Sequence, residues 1–319
     1  MSMMKCWVFN TYGGADVLQI EERPIPIPGK DEVLIKVAAS AINPSDVKNV
    51  SGFFNTSLPR VPGRDFSGKV IQGKGYEGRE VWGSGAGFGL SIDGAHAEYI
   101  VMPSNAISLK PERLAMEHAA AIGVPYLAAW HGLLKSGALS QGQTILITGA
   151  AGAVGKAAIQ IARWNGAQAI GAVRELPSDA DDIPYISTLD EGWQHQVLSY
   201  TQGKGVDLVL DTVGGNVFNS CLEALRVGGR YVVLASRPAE VTLNMVDLYH
   251  NLQHIIGLDT MKLSNLDIKK SLDNLSVGFN EGHLTPPVIN AWQFELAPLA
   301  YEAVNQGTTG VKQILTFPE

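Results

Sequence analysis

The stretch TILITGAAGAVGKAAIQIA, residues 144–162, constrains the fold of this chain more than any other. A β-branched apolar run, residues 144–148, meets Gly149, Gly152 and Gly155 and passes at once into a pattern of helical period. In a parallel α/β domain, the first strand–helix turn is where a pyrophosphate sits. Glycines let the backbone approach the phosphates, and the helix N-terminus offers unpaired N–H groups at the positive end of the dipole. A glycine triplet alone is a weak signal, but a strand before it and a helix after it give the required context. The backbone of Gly149, Ala151, Gly152, Ala153, Val154 and Gly155 is therefore expected to bind a dinucleotide. The competing reading is a plain tight turn between strand and helix.

The flanking sequence repeats the alternation. Strands are expected at 168–173, 206–211, 230–235 and 254–259, and helices at 153–165, 191–202 and 216–226. Such alternation builds βαβ units around a parallel sheet. The runs 206–211 and 230–235 are continuously apolar inside, as strands buried on both faces are. RVGGR, residues 226–230, is expected to end a helix and start a strand, with glycine in a left-handed cap. The first ~120 residues read differently, as short strands at 32–40, 66–73 and 95–102, with Pro24, Pro26 and Pro28 marking an extended connector. A helical pattern covers 115–135. After 263 come an amphipathic helix at 264–279, a break at Pro286 and Pro287, a strand near 288–295, a short helix and a last strand at 312–317. These are expected to rejoin the N-terminal β region. The expected division is thus 1–120 with 264–319 against 121–263, and the class is α/β with a doubly wound parallel sheet.

Composition narrows the function. Apolar residues make up 45% and charged residues 17% of the 319 residues, as in an ordinary soluble globular protein. A net charge of −7 argues against nucleic acid or an anionic membrane as the main partner. Two cysteines, Cys6 and Cys221, suit a reducing cytosol, and the N-terminus carries no signal-peptide pattern. The most apolar long window, 119–134, falls short of the ~20 residues of a membrane span and reads as a buried helix. A cytoplasmic protein is expected.

The end of the second strand selects the cofactor. An acidic residue about 20 positions after the glycines would bind the ribose hydroxyls of NAD. Here GAVRE places Arg174 at that point, and a guanidinium fork suits a 2′-phosphate. NADPH is expected. Glu175 is the counter-argument, because it could take the ribose or neutralise Arg174.

Several longer motifs resemble the medium-chain dehydrogenase/reductase superfamily, and within it the zinc-free quinone oxidoreductases. They are residues 12–46, VPGRDFSG (61–68), GAHAEYIVMP (94–103), GAAGAVG (149–155), VDLVLDTVGG (206–215) and GGRYVVL (228–234). The resemblance covers essentially the whole chain. It implies a GroES-like β domain plus a Rossmann domain. It also implies the absence of zinc, since Asn43 and Arg64 stand where the zinc alcohol dehydrogenases carry Cys and His ligands. The four-cysteine structural lobe is missing too. The pair His250 and His254 reads as solvated, not as a metal site.

The resemblance further implies hydride transfer from NADPH, bound in a cleft between domains, to a quinone or to the β-carbon of an α,β-unsaturated carbonyl. Such acceptors are already electrophilic, so positioning and oxyanion stabilisation suffice. Asn43 is the leading candidate catalytic residue. The alternative role for it is capping the helix that starts at Pro44. Asp46 could orient a neighbour, and Tyr126 could donate its hydroxyl or be a core residue. Lys48 is either a proton source or an exposed lysine. On the cofactor side the resemblance implies Thr212 and Val213 near the adenine ribose, and Ala235 and Ser236 near the nicotinamide. Leu258 and Lys312 would close over the cofactor. Three departures stand out: a short segment between Arg174 and residue 185 containing Pro177 and Pro184, Thr188 in place of a tyrosine, and Ala128 in place of a threonine. The alternatives are a non-enzymatic NADPH-binding redox sensor or structural protein, and a zinc alcohol dehydrogenase. A homodimer joined through the edge strand at 254–258 is expected.

Overall fold

The computed structural model describes residues 2–85, 87–178, 182–307 and 310–318. The chain divides into two compact units, Met1–Leu127 with Thr260–Glu319, and Ala128–Asp259. The breaks fall at 127/128 and 259/260, not at 120/121 and 263/264. Residues 116–127 stay with the first unit because they pack on its sheet. Ala120 and Ala121 bury against Ala39, Ala41 and Ile314. The Val124 N–H donates to Asp65 Oδ1 at 2.9 Å.

In the first unit a long central strand, Glu32–Ile42, is paired on both sides. On one side it is antiparallel to Val311–Thr316, with Gln313 opposite Ile42, and on the other to Asp65–Gln72, with Ala41 opposite Asp65. Among the described residues this sheet has seven strands, extended by Val288–Gln293 at one edge and by Glu80–Ser84 and Ile107–Leu109 at the other. Tyr99–Pro103 also pairs with the central strand, starting later than the expected 95. The sheet closes over Ile35, Val37, Phe66, Val81, Phe88, Met102 and Ile107, all buried. A helix, Asn265–Glu281, capped by the Ser264 hydroxyl, carries Ile268, Leu272, Leu275 and Phe279 on its buried side.

The second unit is a parallel sheet. Its order is Tyr185–Ser187, Gln168–Val173, Thr144–Thr148, Val206–Asp211, Leu225–Val233, His254–Gly257. Numbered along this unit the order is 3-2-1-4-5-6, which reverses direction between Thr144–Thr148 and Val206–Asp211. Ligands of open α/β sheets bind outside the carboxyl ends of the strands at such a reversal. The run Tyr185–Ser187 is a strand that the sequence pattern did not single out. It fits because Gly171, opposite Tyr185, has no Cβ; one there would lie 2.6 Å from the tyrosine ring.

RVGGR behaves differently from the expectation. The preceding helix, Phe218–Ala224, ends with extended Leu225, and RVGGR lies inside the strand Leu225–Val233. Gly228, at φ +72°, marks an irregularity there, and the register to Val206–Asp211 shifts between Val206 and Leu208. The glycine is used for a bulge and not for a helix cap. The helix expected at 191–202 is confined to Gln194–Tyr200, with Trp193 buried ahead of it. The helical stretch 115–135 is three pieces, Met116–Ala121, Gly123–Trp130 and the wider turns of His131–Ser136. No helix among the described residues is long and apolar enough to cross a membrane.

Candidate active site

Three neighbouring strands of the first unit bring one polar cluster together. Asn43 follows the central strand, Asp65 opens the strand on one side, and Lys312 lies on the strand at the other. All three are buried. The Asn43 amide donates from Nδ2 to Asp65 Oδ2 at 2.9 Å and to Asp46 Oδ2 at 3.1 Å. Its Oδ1 accepts from Lys312 Nζ. The Asn43 backbone N–H donates to Asp46 Oδ2 at 2.7 Å, so Asn43 and Asp46 form a capping box on the helix Pro44–Val50. Capping is thus one role of Asn43, and the same side chain also anchors a buried network. Arg64 completes the cluster, donating to the Ser45 hydroxyl at 3.1 Å and to the Thr260 hydroxyl at 3.5 Å.

The cluster balances two carboxylates against two cations. Burial pushes both Asp46 and Asp65 above the usual carboxylate range, and the opposing pull comes mainly from Arg64 on Asp46 and from Lys312 on Asp65. Burial likewise pushes the Lys312 ammonium down, against the attraction of Asp65 and then Asp46. Gly123 makes the approach possible, because a Cβ there would lie 2.3 Å from Asp65 Oδ1.

Tyr126 belongs to the core of this unit. It is 3% exposed, its hydroxyl donates to the Thr285 carbonyl, and its ring lies 5.0 Å from that of Phe279. Lys48 is half-buried with its ammonium 5.3 Å from the Phe53 ring centroid. Lys312, expected to close over the cofactor, donates its ammonium to Asn43 Oδ1.

The glycine turn lies at the strand reversal of the second unit. Gly149 has φ +61°, and a Cβ on it would lie 2.5 Å from Thr212 Oγ1. Gly152 is the extended N-cap of the helix Ala153–Trp164. Gly155 faces the turn so closely that a Cβ would lie 2.4 Å from the Gly149 carbonyl oxygen. Ala151 and Val154 are half-buried and Gly152 and Ala153 exposed, so the first-turn N–H groups, which lack intrahelical acceptors, sit at an open surface. These residues fit a dinucleotide phosphate.

The neighbouring loops are tied to the same rim. The Asp211 carboxylate, fully buried, accepts from the Thr148 and Tyr231 hydroxyls and from the N–H groups of Val213 and Gly214, the latter two at 2.9 Å. Gly214 and Gly215, both at positive φ, press backbone to backbone on residues 235–237; a Cβ on Gly214 would lie 2.4 Å from the Ala235 carbonyl oxygen. Leu258 joins the rim through its N–H to the Val233 carbonyl at 3.0 Å. Thr212, Val213, Ala235, Ser236 and Leu258 therefore border the strand ends near Gly149.

Arg174 is exposed just past Gln168–Val173, and among the described residues neither it nor Glu175 forms an ion pair. Part of the short segment after it, 179–181, lies outside the described residues. The Thr188 hydroxyl is spent on the Val173 carbonyl at 3.2 Å.

Asp65 and Asp211 escaped the sequence reading. Each sits at one end of an apolar strand, a position compatible with simple solvent exposure, and only the neighbouring strands show what they receive. An acid closing the otherwise apolar run VDLVL was the available signal for Asp211.

A glycine turn with room for a phosphate at the reversal of a 3-2-1-4-5-6 sheet, together with a β unit built from both chain ends, is the layout of a nicotinamide-dependent oxidoreductase. Comparison with known proteins agrees. Residues 29–112 match the family described as alcohol dehydrogenase GroES-like domain, and residues 153–276 the family described as zinc-binding dehydrogenase. A zinc-type alcohol dehydrogenase-like protein of Schizosaccharomyces pombe is 35% identical over 83% of this chain and 81% of its own length. The quinone oxidoreductase of Homo sapiens is 30% identical over 95% of each. The crystal structure of AibC superposes with a TM-score of 0.90 at 27% identity, over 99% of this chain and 96% of that one. The chain belongs to the medium-chain dehydrogenase/reductase superfamily.

Zinc does not fit the cluster. A zinc site needs thiolate, imidazole or carboxylate donors converging on the ion, whereas Asn43, Arg64 and Lys312 bring an amide and two cations. Among the described residues no group of three or more His, Cys, Asp and Glu side chains could hold a metal.

Proposed function

We propose that the chain is a zinc-independent, NADPH-dependent reductase that passes hydride to a quinone or to the β-carbon of an α,β-unsaturated carbonyl. The observation that carries this reading is the balanced cluster on Asn43. It offers hydrogen-bond donors and fixed charge, and its two carboxylates are taken up by Asn43 and the neighbouring cations, so it suits acceptors that are electrophilic without a Lewis acid. The human relative, a quinone oxidoreductase, supports the same acceptor class.

The cofactor is bound by the backbone of residues 149–155, with Thr212, Val213, Ala235, Ser236 and Leu258 bordering it. A reduced nicotinamide supplies a hydride when bound. Arg174, exposed and without an ion pair among the described residues, takes the 2′-phosphate. Asn43 and Asp46 order the acceptor side. The protein works as a cytoplasmic homodimer. Among the described residues the strand His254–Gly257 pairs on one side only, with Leu225–Val233, and its Ile255 is 39% exposed, so a second copy can add its own edge there.

The test is oxidation of NADPH and of NADH by chelator-treated protein, with an ortho-quinone and a simple enal offered in parallel. NADPH-preferring turnover is expected with one of them. Tight NADPH binding without turnover on either would instead favour a sensor or structural role.

A further inference from the structure

We infer that Lys312, and not Asn43, is the group that touches the acceptor's oxygen, with Asn43 and Asp65 as the residues that position it. The inference rests on the reductase reading above.

A side-chain amide has two N–H donors and one carbonyl acceptor. Asn43 has spent both donors, on Asp46 Oδ2 and Asp65 Oδ2, and its carbonyl on Lys312. It has no donor left to offer a substrate without breaking a buried charge-assisted bond. Asp65 is likewise occupied, Oδ2 by Asn43 and Oδ1 by the Val124 N–H. The Arg64 terminal nitrogens are held on the Ser45 and Thr260 hydroxyls, and its Nε, which is buried and has no partner among the described residues, lies on the inner side of the fork. Lys312 carries its unspent donors at the very end of its side chain. An ammonium has three N–H donors, and the hydrogen bond it makes to Asn43 Oδ1 uses one of them. It is 7% exposed, so bulk water is a poor source of the partners it lacks. An acceptor carbonyl oxygen supplies one.

The chemistry suits that place. A hydride carries two electrons and a proton, so its arrival on an enone β-carbon or a quinone leaves one negative charge, which collects on the carbonyl oxygen as an enolate or hydroquinone anion. One proton from solvent then completes the saturated carbonyl or the hydroquinone, and the nicotinamide is left oxidised. Before transfer the cluster holds two carboxylates and two cations. The new anion therefore develops beside a cation already held in place, which is how preorganised donors lower such a barrier. A cofactor phosphate is the other negative oxygen that could claim Lys312, and the experiment separates the two.

Wild type, Lys312→Met and Lys312→Arg are compared for kcat and KM with the acceptor, for NADPH affinity by nicotinamide fluorescence, and for thermal melting. The expected result is a kcat loss of about 100-fold in Lys312→Met, the scale of losing one oxyanion donor, with NADPH affinity unchanged and partial recovery in Lys312→Arg. If Lys312→Met does not fold, Lys312→Gln, whose amide can still donate to Asn43 Oδ1, carries the same comparison. Retention of wild-type kcat in the folded neutral variant overturns the inference. So does a weakened NADPH affinity with kcat intact, which would assign Lys312 to a cofactor phosphate. Absence of turnover in the wild type with every acceptor overturns the reductase reading, and this inference with it.

Discussion

Gly155 lies against Gly149 so closely that a Cβ on Gly155 would stand 2.4 Å from the Gly149 carbonyl oxygen and 2.5 Å from the Ala150 Cα. Both obstacles are backbone, which cannot swing aside as a side chain can. Gly155→Val must therefore push the helix Ala153–Trp164 off the strand end. An overpacking cost of about 1–3 kcal/mol is expected. NADPH affinity should fall along with the melting temperature, and a fluorescence titration beside a thermal melt reads both. Unchanged nucleotide affinity in a folded Gly155→Val protein would detach the turn from cofactor binding.

Asp211 is a second point of support for the same rim. Replacing it with alanine leaves the Thr148 and Tyr231 hydroxyls and the N–H groups of Val213 and Gly214 without their acceptor. Each buried group left unpaired costs ~1–3 kcal/mol, so a total of at least about 3 kcal/mol is expected. Tyr231→Phe removes one donor and leaves the other three in place, so it should cost clearly less. Urea denaturation of the two variants checks the order.

Arg174 carries the cofactor choice. Arg174→Ala is expected to weaken NADPH binding by about 10- to 100-fold, the value of one or two charge-assisted hydrogen bonds, while leaving NADH nearly unaffected. Because Arg174 is exposed and has no ion pair among the described residues, the fold should not suffer. Parallel titrations with the two nucleotides measure the ratio. An equal loss for both would place Arg174 away from the 2′-phosphate.

His96 makes acid stability measurable. Its ring is fully buried; Nδ1 lies 3.1 Å from the Tyr301 hydroxyl and Nε2 3.4 Å from the Ala41 carbonyl oxygen. Both contacts suit a neutral imidazole protonated on Nε2. Burial pushes its pKa down from 6.5 to about 4. Between those values the unfolded chain binds a proton that the folded chain does not. Stability should therefore fall as pH drops through that window, with a slope of up to about 1.4 kcal/mol per pH unit from this group. Urea midpoints at several pH values, compared between wild type and His96→Gln, isolate the contribution. The variant should show the shallower slope.

The sheet of the second unit was legible because periodicity is local. Each of the runs 144–148, 168–173, 206–211 and 230–235 is apolar for its own reasons; the first three are strands of the structure, and the fourth is strand as far as Val233. Tyr185–Ser187 was missed because three residues carry too little pattern; its place is set by Gly171 on the neighbouring strand. RVGGR was misread because glycine at positive φ serves a helix cap and a strand bulge equally well. What differs is whether the chain leaves the helix before it, as it does at Leu225.

By itself the sequence determined the α/β class, the β region built from both chain ends, and the glycine turn with its helix. Those follow from hydrophobic period and from glycine spacing, which act over a few residues. Only the tertiary structure decided what the polar residues do. Asn43, Asp65 and Lys312 are far apart in the chain, and the antiparallel register of three strands sets them side by side. Once water is excluded there, each charge must find its partner within the cluster. That requirement made Lys312 the partner of Asn43 and set Asp65 against the same amide.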